Sequence, residues 1–113
     1  MTTIYHNPRC SKSRQTLALL EENGIQPEVR LYLQDVPSVA EIKELIKQLA
    51  LSPIEMMRTK EALYKELGLS KESTDEERIQ AMHNHPSLIE RPIVIHNGKA
   101  KIGRPPEQVL ELF

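Results

Sequence analysis

The chain opens on Thr2-Thr3-Ile4-Tyr5, a β-prone run that reads as a short strand. His6-Asn7-Pro8-Arg9-Cys10 interrupts it as a loop. From Ser11 the pattern becomes helical, with Leu17, Ala18 and Leu20 available to face a core. Asn23-Gly24 ends that helix, because glycine accepts the left-handed cap conformation. Pro27 to Leu33 reads as a second strand. Strand, helix and strand in so short a span predict a parallel βαβ unit with a right-handed crossover.

The middle of the chain has a different rhythm. Ile42, Leu45, Ile46 and Leu49 fall at i, i+3, i+4 and i+7, the apolar stripe of an amphipathic helix. Ser38-Val39-Ala40-Glu41 precedes it as a capping box. Ser52-Pro53-Ile54-Glu55 and Thr74-Asp75-Glu76-Glu77 repeat that signal, the former with proline at the first helical position. Residues about 38 to 85 therefore read as several short helices, punctuated by Gly68 and His85-Pro86. Strand character returns in Pro92-Ile93-Val94-Ile95 and in Lys99-Ala100-Lys101-Ile102, on either side of His96-Asn97-Gly98. Asn-Gly between two β-prone runs predicts a tight hairpin, because both turn positions favour positive φ. Pro105 to Phe113 reads as a closing helix with Val109, Leu110 and Leu112 apolar.

The predicted order is β-α-β, a helical block, then β-β-α. That is an α/β chain with a thioredoxin-like mixed sheet and an inserted helical block. One domain spanning 1–113 is expected, with 38–85 as the insertion within it. A formal net charge of -1 argues against a broad footprint for nucleic acid or an anionic membrane. One Phe, three Tyr and no Trp leave little for base stacking. No apolar run reaches bilayer length and no secretory signal is visible, so a cytoplasmic protein is expected. No metal site is expected: His83 and His85 are two apart and point to different helix faces, and His96 falls in a turn. Asp75-Glu76-Glu77 complements a helix dipole, and Met56-Met57 reads as core filler.

Cys10 is the chain's only cysteine, which a reducing compartment would preserve as a thiol. It sits between a predicted strand end and a helix start. There the unpaired N–H groups and the positive end of the helix dipole both favour thiolate. A free thiol of pKa about 8.5 is roughly 3% ionised at pH 7, whereas such sites lower the pKa to roughly 3.5–7.5. The same N–H groups can hold a tetrahedral oxyanion. Arg9, Lys12 and Arg14 supply neighbouring cations for electrostatic tuning, and His6 supplies another when protonated. Most free cysteines are small buried hydrophobes, but flanking Arg and Lys contradict an apolar surround. Ser13 stands where C-x-x-C would place a second cysteine, and Thr16 stands where C-x5-R would place arginine. Redox chemistry with one thiol must borrow the second, and glutathione is the obvious source.

The opening Ile4-Tyr5-His6-Asn7-Pro8-Arg9-Cys10-Ser11-Lys12-Ser13-Arg14 resembles that of the glutaredoxin-dependent arsenate reductase family. The resemblance continues through Leu31-Tyr32-Leu33, Met57-Arg58, Leu63 to Leu69, His85-Pro86, Glu90-Arg91-Pro92-Ile93-Val94 and Gly103-Arg104-Pro105-Pro106-Glu107. Arg9 and the C-S-K-S-R continuation look like a chromosomal branch. The resemblance implies that Cys10 attacks arsenate to form a thiol–arsenate adduct. Glutathione then displaces water and reduces the arsenic, and glutaredoxin resolves the mixed disulfide. It implies catalytic roles for Cys10 and His6, with His6 helping to depress the cysteine pKa. Arg58, Arg91, Arg104 and Ser13 are implied at the substrate, with no bound cofactor and glutathione as co-substrate. Arg91-Pro92 resembles the cis-proline that thioredoxin-like folds place opposite the cysteine. Two other readings fit the residues. One is a monothiol glutathione-dependent oxidoreductase without arsenate specificity. The other is a redox-linked regulator binding RNA polymerase, against which the missing second cysteine counts.

Overall fold

The computed structural model describes residues 1–113. Strand β1 (Thr2–Tyr5) is followed by helix α1 (Ser11–Glu22) and strand β2 (Glu28–Arg30). β1 and β2 pair in parallel, with Thr3 opposite Glu28 and Tyr5 opposite Arg30. β1 also pairs antiparallel with β3 (Ile93–His96), which pairs antiparallel with β4 (Lys99–Ile102). The sheet has four strands in the order β2-β1-β3-β4. This is the thioredoxin-like mixed sheet. The chain divides into two compact units, one of Met1–Asp35 with Arg91–Phe113, the other of Val36–Glu90.

In the first unit Ile4, Leu20, Val94 and Val109 are fully buried in one cluster, with Leu17, Ile25 and Leu112 packed against it. The β3–β4 turn is the two-residue Asn97-Gly98, with φ +49° and +83°. Those positive values are what Asn-Gly provides and most residues resist. Gly24, at φ +74°, ends α1 as predicted.

Three local expectations need correction. Ala18 is exposed, and the inner face of α1 carries Ser13, Thr16 and Leu20. Polar residues hold that face because their hydroxyls are satisfied: Thr16 Oγ1 donates to the Lys12 carbonyl at 2.8 Å. The second strand stops at Arg30 rather than Leu33. The Leu31 carbonyl accepts from the Gln34 and Asp35 N–H groups at 2.9 and 2.8 Å, which turns the chain. Tyr32 is buried there, its ring stacked 6.1 Å from that of Tyr5. The closing segment Pro106–Leu112 is a 3₁₀ helix. At three residues per turn, Pro106, Val109 and Leu112 share one face, and the first two are buried.

The second unit holds α2 (Val39–Leu49), α3 (Ala62–Glu66) and α4 (Asp75–Asn84), with 3₁₀ turns at Pro53–Met56 and Pro86–Leu88. Ser38 Oγ accepts from the Glu41 N–H at 3.1 Å, and Glu41 Oε1 accepts from the Ser38 N–H at 3.0 Å. Thr74 and Glu77 repeat this at 3.1 and 2.8 Å. At Ser52, Glu55 Oε1 accepts from both the N–H and the hydroxyl, at 3.0 and 2.8 Å. Such caps contribute about 1 kcal/mol each. Ile42, Leu45 and Leu49 form the buried face of α2, and Met56 and Met57 are buried. No helix is long and apolar enough to cross a membrane.

Candidate active site

The loop between β1 and α1 is fixed by its own backbone. The Cys10 N–H donates to the Asn7 carbonyl at 3.0 Å, closing a turn with Pro8 at its second position. The Asn7 side-chain oxygen accepts from the Arg9 N–H at 3.0 Å, an Asx turn inside the first. Cys10 then occupies the N-cap of α1 at φ −95° and ψ 123°, and its carbonyl accepts from the Arg14 N–H at 3.0 Å. The sulfur is thereby set at the helix N-terminus, facing N–H groups of the first turn, though no short cap hydrogen bond forms to the thiol. Ser13 anchors the loop from below. Its fully buried Oγ accepts from the Asn7 N–H at 3.0 Å and lies 2.7 Å from His6 Nδ1.

Burial of Cys10 opposes ionisation, but four groups outweigh it. In descending order these are the Ser13 N–H, the Arg91 charge, the Lys12 N–H and the Arg104 charge. Together they hold the thiol below its ordinary pKa. Arg104 Nη2 lies 4.0 Å from Cys10 Sγ, and Arg104 Nε donates to the Arg91 carbonyl at 2.9 Å. Both arginines precede proline, and the Arg91–Pro92 and Arg104–Pro105 bonds are both cis. The second of these carried no signal in the sequence pattern.

Gly103 sets how closely the Arg104 segment approaches α1. A Cβ there would lie 2.7 Å from Thr16 Oγ1 and 2.9 Å from Pro92 Cγ. Its N–H donates to the Pro92 carbonyl at 2.9 Å, tying the two arginine-bearing segments together. Sequence reasoning missed both Gly103 and Asn7 as positioning residues. Asn-Pro at 7–8 is a turn signal that points to the latter.

The other predicted residues fall into distinct places. Burial, and then the Arg14 charge, lower the His6 pKa, so its imidazole is neutral at pH 7. Arg14 reaches over the loop, donating from Nη1 to the Pro8 carbonyl at 2.9 Å. Lys12 acts on the sulfur through its backbone N–H, and Arg9 and Lys12 are both exposed. Ser13 turns its hydroxyl to His6 and Asn7 and its N–H to Cys10. Arg58 belongs to the second unit, where it pairs with Glu61 at 3.0 Å and donates to the Ser87 carbonyl at 3.3 Å. No cluster of three or more His, Cys, Asp or Glu is placed to hold a metal. His83 Nδ1 bonds the Pro37 carbonyl at 2.8 Å, and His96 Nδ1 bonds Thr2 Oγ1 at 2.8 Å.

The site thus joins a thiolate-favouring cysteine to two guanidinium groups. That combination suits attack on a tetrahedral oxyanion, with developing negative charge met by fixed cations and N–H groups. The sequence pattern of the ArsC family matches residues 5–112. The chain belongs to the ArsC family. Among relatives of this ArsC chain, uncharacterized protein YfgD of Escherichia coli K12 is 61% identical over 96% of this chain and 93% of its own length. An arsenate reductase of Haemophilus influenzae is 56% identical over 97% of each. The solved structure of an arsenate reductase from Vibrio cholerae superposes with a TM-score of 0.96 at 58% identity, covering 99% of this chain and 97% of that one.

Proposed function

We propose that this ArsC chain reduces arsenate to arsenite, with Cys10 as nucleophile and glutathione and glutaredoxin as electron donors. The observation that carries the reading is Cys10 Sγ at a helix N-terminus, 4.0 Å from Arg104 Nη2, with its pKa depressed. The names of its relatives supply the oxyanion.

Cys10 thiolate attacks arsenic, an oxygen leaves as water, and a sulfur–arsenic bond forms. Glutathione thiol replaces a second oxygen, again lost as water. A sulfur–sulfur bond then forms between Cys10 and glutathione while an electron pair passes to arsenic, which leaves as arsenite. Glutaredoxin thiolate takes the glutathione and frees Cys10. Two thiols, one from each donor, supply the two electrons that arsenic gains. Arg91 and Arg104 offset the charge on the arsenate oxygens, and the Ser13 and Lys12 N–H groups hold the thiolate until it attacks. His6 acts as a neutral positioning group through Ser13. Arg58 is proposed as a third oxyanion contact on resemblance alone. A reducing cytoplasm suits a lone reactive thiol.

The test is arsenite production from arsenate, glutathione and glutaredoxin, with Cys10→Ser as control. Turnover that requires Cys10 and both donors is expected. Turnover that persists in Cys10→Ser removes the nucleophile from the scheme. No turnover, with Cys10 still ionising at a depressed pKa, transfers the site to glutathione-dependent disulfide exchange.

A further inference from the structure

The loop that delivers Cys10 has a second face, which none of Cys10, Arg91 and Arg104 lines. A cavity of about 250 Å³ lies there, lined by His6, Asn7, Pro8 and Arg9 of the loop and by Leu31, Leu33 and Gln34. We propose that this cavity docks the glycyl carboxylate arm of glutathione. The proposal rests on the reading above that glutathione is the thiol donor.

Three observations point to this occupant. The first is charge. The Arg9 guanidinium makes no hydrogen bond or ion pair, the residue's one hydrogen bond being from its backbone N–H to Asn7. Arg9 is also absent from the groups that lower the Cys10 pKa, so its charge is not committed to the sulfur. A free guanidinium on a cavity rim fits a carboxylate. Gln34 adds an amide whose side chain has no partner, held in place by the turn at the Leu31 carbonyl.

The second is spacing. Arg9 immediately precedes Cys10, so their Cα atoms are about 3.8 Å apart. In glutathione the terminal carboxylate likewise sits one residue from the thiol. The carboxylate-to-thiol interval of the tripeptide thus matches the one-residue interval between Arg9, which lines the cavity, and Cys10, which does not. Leu31 and the exposed Leu33 offer apolar surface to the intervening methylene groups. The third is separation. Arg91 and Arg104, which act on Cys10 from the other segments, do not line this cavity. Oxyanion and thiol donor can then approach one sulfur without competing for the same cations.

The test is disulfide exchange, which needs no arsenate. Cys10 thiolate attacks one sulfur of oxidised glutathione; a Cys10–glutathione disulfide forms and glutathione thiolate leaves. Its rate, followed by intact mass, is compared with the rate for hydroxyethyl disulfide, which carries no carboxylate. Arg9→Ala is expected to slow exchange with oxidised glutathione about fivefold and with hydroxyethyl disulfide less than twofold. Gln34→Ala should slow the first reaction about twofold, and Arg9→Lys should restore only part of the Arg9 loss, because an ammonium keeps the charge but lacks the planar fork. An equal fall with both disulfides assigns Arg9 to the thiol itself and overturns the proposal. So does a fall in Arg9→Ala with none in Gln34→Ala, which is long-range steering without docking. Failure of arsenate turnover beside the expected exchange pattern rejects the reductase reading and leaves the docking site standing.

Discussion

Gly103→Ala tests whether the site depends on the close approach of Gly103, just after β4, to Thr16 of α1. The added Cβ would begin 2.7 Å from Thr16 Oγ1, 3.2 Å from Thr16 Cγ2 and 2.9 Å from Pro92 Cγ. Reaching the edge of ordinary contact at 3.4 Å takes 3.4 − 2.7 = 0.7 Å of movement. Thr16 is fully buried and Pro92 is buried, so neither yields cheaply. Overpacking of this kind costs about 1–3 kcal/mol. For a chain of this size that is a fall in Tm of roughly 4–12 °C. If Arg104 follows the strand end, its separation from the sulfur grows from 4.0 to 4.7 Å. At an effective dielectric near 20 the lost attraction is at most about 0.6 kcal/mol, or about half a pKa unit for Cys10. Thermal unfolding and the pH profile of Cys10 alkylation read the two effects separately. Thr16→Ala combined with Gly103→Ala removes two of the three clashing atoms and should recover part of the stability. A Gly103→Ala protein with unchanged Tm and alkylation profile would refute the packing on which the Arg104 placement rests.

Arg104→Ala and Arg91→Ala should each lower arsenite-forming kcat/KM about 10²-fold and move the Cys10 alkylation midpoint upward. Steady-state assays showing no change in both variants would remove the oxyanion cradle. His6 has a folded pKa below its unfolded value, so the unfolded state takes up the proton first on acidification. Its contribution to stability is full above about pH 6.5 and is lost as pH falls through the lower folded value. Urea midpoints at pH 7.5 and pH 5 should therefore separate more for the wild type than for His6→Asn, and equal separations would contradict the burial assigned to His6.

Much of this architecture is written in local signals. Asn97-Gly98 specifies its turn by backbone preference alone, and both residues adopt the positive φ they favour. The boxes at Ser38/Glu41 and Thr74/Glu77 need only residues three apart, and both form. The departures arise where tertiary context decides. Ala18 has the hydrophobicity of a core residue, yet Ser13 and Thr16 take the inner face because the loop and the helix backbone satisfy their hydroxyls. Tyr32 reads as strand until its ring finds Tyr5, and the turn at Leu31 follows. Cys10 was legible as a reactive thiol from its place before a helix. The order of the groups acting on it was not. Arg91 and Arg104 are remote in sequence, whereas adjacent Arg9 contributes nothing resolved to its ionisation. Gly103 stood out only as part of the Gly-Arg-Pro run that carries the resemblance; its packing role was not legible, since a glycine kept for close packing looks like any other in a single chain.

The most direct measurement is the rate of Cys10 alkylation by iodoacetamide against pH, with and without arsenate. The account predicts a midpoint below the ordinary thiol value of about 8.5, and slower alkylation when arsenate occupies the site. A midpoint at or above that value, with no protection by arsenate, would contradict an activated thiolate in an oxyanion site.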